Sequence, residues 1–281
     1  MARILLQTTI PYAEDDWHVG RFSLLRDELT AAGHAVTARN REPDKQGNDP
    51  VLSGLATSAF DQLWLMGVDT GDGLCGTDIT GIMALHQRGG GLLTARDHAD
   101  LGACIRDLGT IGAINHFHNY NPEDEPERRQ QDDQDDPDIA WPNYHSGANG
   151  DYQRIDVIEP VHEILRSDRA PNGLIEFFPA HPHEGAVGAP AGDKHARVIA
   201  RGRSMQSGRA FNTAVVIEGE PGRAIAESTF HHFCDLNWDT NRGAPSFVTD
   251  KPGNEMKRDP QRFEIFKDYV RNIARWLTRS E

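Results

Sequence analysis

Four short apolar runs alternate with amphipathic stretches over the first 112 residues, and this alternation constrains the fold more than any other feature of the chain. Arg3 to Thr9 (RILLQTT) reads as a central strand. Val19 to Ala32 follows as a helix, with Phe22, Leu25 and Leu29 on one face and Gly33 as its stop. His34 to Arg39 reads as a second strand and Phe60 to Val68 as a third. Thr77 to Arg88 is a second helix, with Ile79, Ile82, Met83 and Leu85 inward. Three glycines then lead into Leu92-Leu93-Thr94-Ala95, and Arg96-Asp97-His98 follows abruptly. Strand and helix alternating with short connections predict a flavodoxin-like α/β fold: a mostly parallel, doubly wound sheet with helices on both faces. Ligands of such sheets sit in the crevice at the carboxyl ends of the strands. The stretch GGGLLTARDHADLG (89–102) is expected to form a turn, a buried strand, a sharp elbow into that crevice and a helix.

The 281 residues suit one large α/β domain, and neither internal repeat nor linker divides them. No GxGxxG follows the first strand and no GxxxxGK[ST] is present, which disfavours dinucleotide and P-loop nucleotide binding. There is no signal-peptide pattern and no run of roughly 18 apolar residues, so a cytoplasmic protein without a membrane span is expected. Cys75, Cys104 and Cys234 are odd in number and widely spaced, which speaks for a reducing compartment without disulfides. The formal net charge of −14 argues against nucleic acid and anionic membranes as partners. Half of it lies between Pro122 and Asp138, where nine acids face two arginines.

Past Gly112 the periodicity lapses. Residues 115–150 are expected to form a loop or lid over the crevice, and 236–258 a second irregular loop. Residues 152–159 read as a strand, Pro160 to Arg166 as a short helix, and 196–201, 211–217 and 223–229 as three further strands. Asp259 and Pro260 open a C-terminal helix with Phe263, Phe266, Val270, Ile273 and Leu277 on one stripe.

Several groups are able to carry chemistry. Asp97 and His98 at the elbow, and His232 with Asp235 after a late strand, are candidate acid/base residues, since a histidine oriented by a carboxylate is the usual general base. As structural alternatives, Asp97 caps a helix and the paired histidines merely close the sheet end. Asp15, Asp16 and His18 in the first loop, Asp69 after the third strand, Arg96 and His231 are candidate substrate contacts. His116-x-His118 and His181-x-His183 are short-spaced pairs able to chelate a divalent metal such as zinc, manganese or iron, because residues i and i+2 of an extended chain share a side. No GxSxG or GxCxG supplies a nucleophile for acyl transfer.

The first strand RILLQTT, the turn-bearing LWLMGVDTGDG, the GGGLLTARDHADLG elbow and the late TFHHFCD together resemble the class I glutamine amidotransferase-like superfamily, and within it the ThuA-like (trehalose utilisation) branch. The resemblance spans 3–112 and, more loosely, 196–279. It implies the flavodoxin-like fold and places His231 or His232, with Asp235, in orienting roles. Arg96-Asp97-His98 stands where the triad enzymes carry cysteine, so glutaminase activity is not expected; the ThuA-like branch also lacks that cysteine. The resemblance suggests a small polar, carbohydrate-derived substrate handled by acid/base chemistry, with or without a metal, in a hydrolase or isomerase type of reaction. The alternative is a non-catalytic module that binds a small ligand or partner, and a homo-oligomer is compatible with either.

Overall fold

A computed structural model describes residues 1–120, 133, 143–219 and 221–278. The acidic stretch 122–138 and most of the expected lid lie outside the described residues, apart from Asp133. In chain order the strands are β1 (Arg3–Thr8), β2 (Ala35–Arg39), β3 (Gln62–Met66), β4 (Gly91–Ala95), β5 (Asn115–His116), β6 (Tyr152–Arg154), β7 (Asp156–Val157), β8 (Phe177–Pro179), β9 (Ala186–Val187), β10 (Ala196–Arg203), β11 (Ala210–Ile217) and β12 (Ala224–Glu227). The helices are α1 (Ser23–Ala31), α2 (Pro50–Ser53), α3 (Gly76–Gln87), α4 (Gly109–Gly112), α5 (Asp235–Trp238), α6 (Glu255–Arg258) and α7 (Pro260–Leu277).

Eight strands form the central sheet in the order β2-β1-β3-β4-β12-β11-β10-β7. The first five are parallel, in a flavodoxin-like succession, and the last three join them antiparallel. Alternation along each strand divides the core in two. Ile4, Leu6, Trp64, Met66, Leu93 and Ile225 face α1 and α7, where Leu25, Leu29, Phe266, Val270 and Ile273 meet them. Leu5, Leu63, Leu65 and Leu92 face the other way, onto Ile82 and Leu85 of α3. Both faces are covered, which is why β1, β3 and β4 read as continuous apolar runs. The α7 stripe forms as expected: Asp259 accepts the Arg262 N–H and Pro260 occupies the first turn.

Two expectations change. Residues 152–159 do not form one strand: β6 pairs with β8 in a separate two-stranded sheet, and β7 turns away to edge β10. The elbow does not lead directly into an α-helix. After β4 the chain turns through Ala99, at φ 47°, and Gly102, at φ 83°, into a 3-10 helix at Ala103–Asp107. A Cβ on Gly102 would lie 2.9 Å from the Gly67 carbonyl oxygen, so the loop after β4 is packed against the end of β3 backbone to backbone. No row of free helical N–H groups is therefore presented behind Asp97. Among the described residues no helix is long and apolar enough to cross a membrane, and the three cysteines are free.

Candidate metal centre

Parallel pairing of β4 with β12 places Ala95 opposite Glu227. The residues just beyond each strand therefore share one spot at the carboxyl end of the sheet: Arg96–His98 from β4 and Ser228–His232 from β12. Thr229 joins the two segments. Its hydroxyl donates to Asp97 Oδ1 at 2.7 Å, and its Oγ1 accepts the His231 N–H at 3.0 Å, opening a 3-10 helix at Phe230–His232. Successive residues of a 3-10 helix point about 120° apart. Consecutive histidines consequently face different surroundings, His231 toward the crevice and His232 into the core beneath.

A third segment, His181–Gly185 after β8, closes on the elbow. Gly185 lets it do so: a Cβ there would lie 2.6 Å from the Asp97 carbonyl oxygen and collide with the Arg96 guanidinium. The result is a cradle around one oxygen. Asp97 Oδ2 has His98 Nδ1 at 3.1 Å, His181 Nε2 at 3.6 Å and His231 Nε2 at 3.7 Å. The His181 and His231 rings are stacked, 3.5 Å between centroids and 9° from parallel. Ligand atoms of Asp97, His98 and His181 all lie within 4.8 Å of one another. Zinc bonded at about 2.0–2.1 Å to nitrogen and oxygen in a tetrahedron separates its ligands by roughly 3.3 Å, so this donor set suits one divalent ion in both spacing and chemistry.

The protonation states suit it as well. Burial pushes the His181 pKa down to about 4 and holds His231 well below the usual histidine value. Burial alone would raise Asp97, but the charges and hydrogen bonds of His181, His231 and His98 outweigh it and keep this carboxyl well below the usual range. At neutral pH the cradle therefore holds one carboxylate and two neutral buried imidazoles. Burial, then the charge of His98, also lowers His183.

The cradle forms one wall of a cavity of about 330 Å³ lined by Trp17, Leu101, His183, Phe247, Val248, Thr249 and Asp250 beside Asp97, His98, His181 and His231. Trp17 meets the His231 ring edge-on at 4.8 Å. His183 Nε2 lies 3.6 Å from Asp250 Oδ2. Ser246 donates its N–H to Asp15 Oδ1 at 2.6 Å and its hydroxyl to Asp15 Oδ2, which ties the 245–250 segment to the first loop.

Of the expected site residues, the fold brings Asp97, His98, His181, His183 and His231 together. The others stand elsewhere. His232 is fully buried outside the cavity, with Nδ1 3.0 Å from Glu227 Oε2 and Nε2 3.7 Å from Glu184 Oε1. Asp235 does not orient it. That carboxylate accepts the Ser23 hydroxyl at 2.5 Å and the Leu24 N–H at 2.8 Å, fastening the start of α1. His116 and His118 take no part in the cradle. Strand β5 ends at His116, so the extended alternation that would turn both rings to one side does not reach His118. Asp16 accepts the Trp17 N–H and His18 caps a 3-10 turn through the Gly20 N–H. Asp69 is buried, accepting from the Gly71 N–H and the Cys104 thiol. Arg96 is buried with its guanidinium over the Phe117 ring and donating to the Ala99 carbonyl. None of these lines the cavity. Trp17, Phe247 and Asp250 were not singled out in the sequence, since single aromatic or acidic loop residues carry no spacing signal. Asn149 and Asn237, which contact the cradle histidines from behind, were missed for the same reason.

No protein-family model matches the chain, and no curated protein matches it. Solved structures do. A cytoplasmic protein from Salmonella typhimurium superposes with a TM-score of 0.56 at 10% identity, over 99% of this chain and all of that one. A ThuA-like protein from Parabacteroides merdae gives 0.48 at 15% identity, over 95% and 98% of the two chains. The glutaminase domain of a Trypanosoma brucei CTP synthase gives 0.45 at 14% identity, over 100% and 98%. The likeness to the Salmonella protein is one of fold.

Proposed function

We propose that the protein is a divalent-metal-dependent enzyme of hydrolase type, acting on a small polar, carbohydrate-derived substrate and needing neither a cysteine nor a serine nucleophile. The observation that carries this reading is the convergence of three imidazole nitrogens, at 3.1, 3.6 and 3.7 Å, on the single oxygen Asp97 Oδ2. Asp97, His98 and His181 would hold the ion, with the His231 ring stacked on His181 beside it. The ion supplies Lewis acidity toward a carbonyl and toward water. Asp97 contributes the one full negative charge of the cradle, and Thr229 fixes its other oxygen so that Oδ2 points inward. His183, held beside Asp250 on the cavity wall, is placed to take or return a proton at Nε2. The cavity is near the small end of ligand-sized pockets. Trp17 and Phe247 offer a ring-shaped polar substrate an apolar wall, which supports a sugar or its derivative.

The test is elemental analysis of protein purified without added metal or histidine tag, with melting curves with and without chelator. Near-stoichiometric zinc, manganese or iron, and a lower Tm on chelation, are expected. Absence of metal together with an unchanged Tm after adding each ion in turn would overturn the proposal.

A further inference from the structure

A metal site needs the lone pairs of its histidines directed at the ion, and which nitrogen carries the lone pair depends on what the other nitrogen bonds. Behind the cradle, His231 Nδ1 lies 2.9 Å from Asn237 Oδ1, and His181 Nδ1 lies 2.8 Å from Asn149 Oδ1. The two amides are joined, because Asn237 Nδ2 donates to Asn149 Oδ1 at 3.1 Å. Asn237 Nδ2 also donates to the Ala180 backbone carbonyl at 2.6 Å.

That carbonyl has no alternative role, since a backbone oxygen only accepts. It fixes the Asn237 amide: reversed, the amide would set oxygen against oxygen at 2.6 Å. With Nδ2 on Ala180, Oδ1 must face His231, so His231 Nδ1 carries the proton. The same Nδ2 reaches Asn149, so Asn149 must present Oδ1, and His181 Nδ1 carries its proton too. Asn149 accepts this orientation although its own Nδ2 has no hydrogen-bond partner among the described residues. Reversing that amide would set two donors against each other. The Cys234 thiol donates to Asn237 Oδ1 at 3.0 Å and so reinforces its acceptor role.

We propose that Asn237 and Asn149 are positioning residues that carry the polarity of the Ala180 carbonyl to both stacked histidines, locking each as the Nδ1–H tautomer with its Nε2 lone pair toward Asp97. One amide thereby sets the candidate ligand His181 and its stacked neighbour His231 at once. The consequence for the metal rests on the function proposed above, but the tautomers do not.

The first experiment is long-range ¹H–¹⁵N correlation of the imidazoles in metal-free, full-length protein. A protonated Nδ1 and an unprotonated Nε2 are expected for both His181 and His231, and Nε2–H in either ring overturns the relay. The second uses Asn237→Ala, with circular dichroism confirming the fold. The variant is expected to lose the single tautomer at both rings and to bind zinc 10- to 100-fold more weakly. Unchanged tautomers with zinc affinity within twofold of the parent would overturn the assigned role. If this Ala variant fails to fold, Asn149→Ala is read in the same way at His181. Locked tautomers in a protein that binds none of zinc, manganese or iron would sustain the relay and refute the metal-dependent function, so the two failures are distinguishable.

Discussion

His231 and His232 are neighbours in the chain and belong to two different electrostatic systems. His231 joins the cradle, where burial keeps imidazoles neutral around a single carboxylate. His232 joins a closed knot, where burial again disfavours charge but the hydrogen bonds and charges of Glu184 and Glu227 outweigh it and raise its pKa to about 9. Tyr269 donates to Glu227 at 2.5 Å, and Gln153 and Ser146 donate to Glu184. The knot carries its own cation, whereas the two buried imidazoles of the cradle stay neutral. A buried carboxylate supplied with an imidazolium serves structure, and one faced by two neutral buried imidazoles is suited to a cation from outside.

The largest effect should come from breaking the knot. His232→Ala removes the imidazolium from between the buried Glu184 and Glu227 side chains and should cost about 3–5 kcal/mol of unfolding free energy, measured by urea titration. An effect under about 1 kcal/mol would show that the knot is not charged. Asp97→Asn should strike the cradle instead, weakening zinc binding at least 100-fold, about 3 kcal/mol, by calorimetry. Loss of stability without loss of metal would merge the two systems into one.

The two systems should also part with pH. His181 in the metal-free protein has a folded pKa below its unfolded value near 6.5, so the unfolded chain takes up the proton first. Its contribution to stability is lost as pH falls from about 6.5 to about 4. His162, also buried and near 4, adds to the same acid limb. His232 has a folded pKa above the unfolded one. Its contribution is complete below about 6.5 and is lost as pH rises through about 9. Each of these histidines should contribute roughly 3 kcal/mol to its limb. His232→Ala should remove the alkaline limb alone, and chelated His181→Ala should weaken the acid limb alone, as followed by urea midpoints across pH.

The smallest change concerns the approach of the third segment. Gly185→Ala puts a methyl against the Asp97 backbone and should cost about 1–3 kcal/mol. Because it displaces the His181 segment, metal affinity should fall while the alkaline limb set by His232 persists.

The fold was legible because strand and helix periods are local. Ile4 and Leu6 against Leu5, or the α7 stripe, announce their faces within a few residues. The site was legible only in part. His181-x-His183 and the Arg96-Asp97-His98 elbow stood out as residue types, but which of the four histidine-bearing stretches met depended on β12 inserting beside β4, a long-range pairing with no local signature. His232 and Asp235 matched a catalytic pattern along the chain, yet the tight helical turn after Thr229 rotated one into the core, and the other fastens α1. His116-x-His118 stays outside the cradle, its strand ending at His116, two residues short of His118.

That insertion of β12 beside β4 also bears on how the molecule assembles. Asp97 and His98, His181, and His231 come from three remote segments, and His231 reaches the cradle only because β12 pairs beside β4. The cradle is thus a property of the finished topology, and no fragment ending before β12 can contain it. Ion capture would belong to the end of folding and would report its completion: a chain that has closed β1 to β4 alone would be compact but blind to metal.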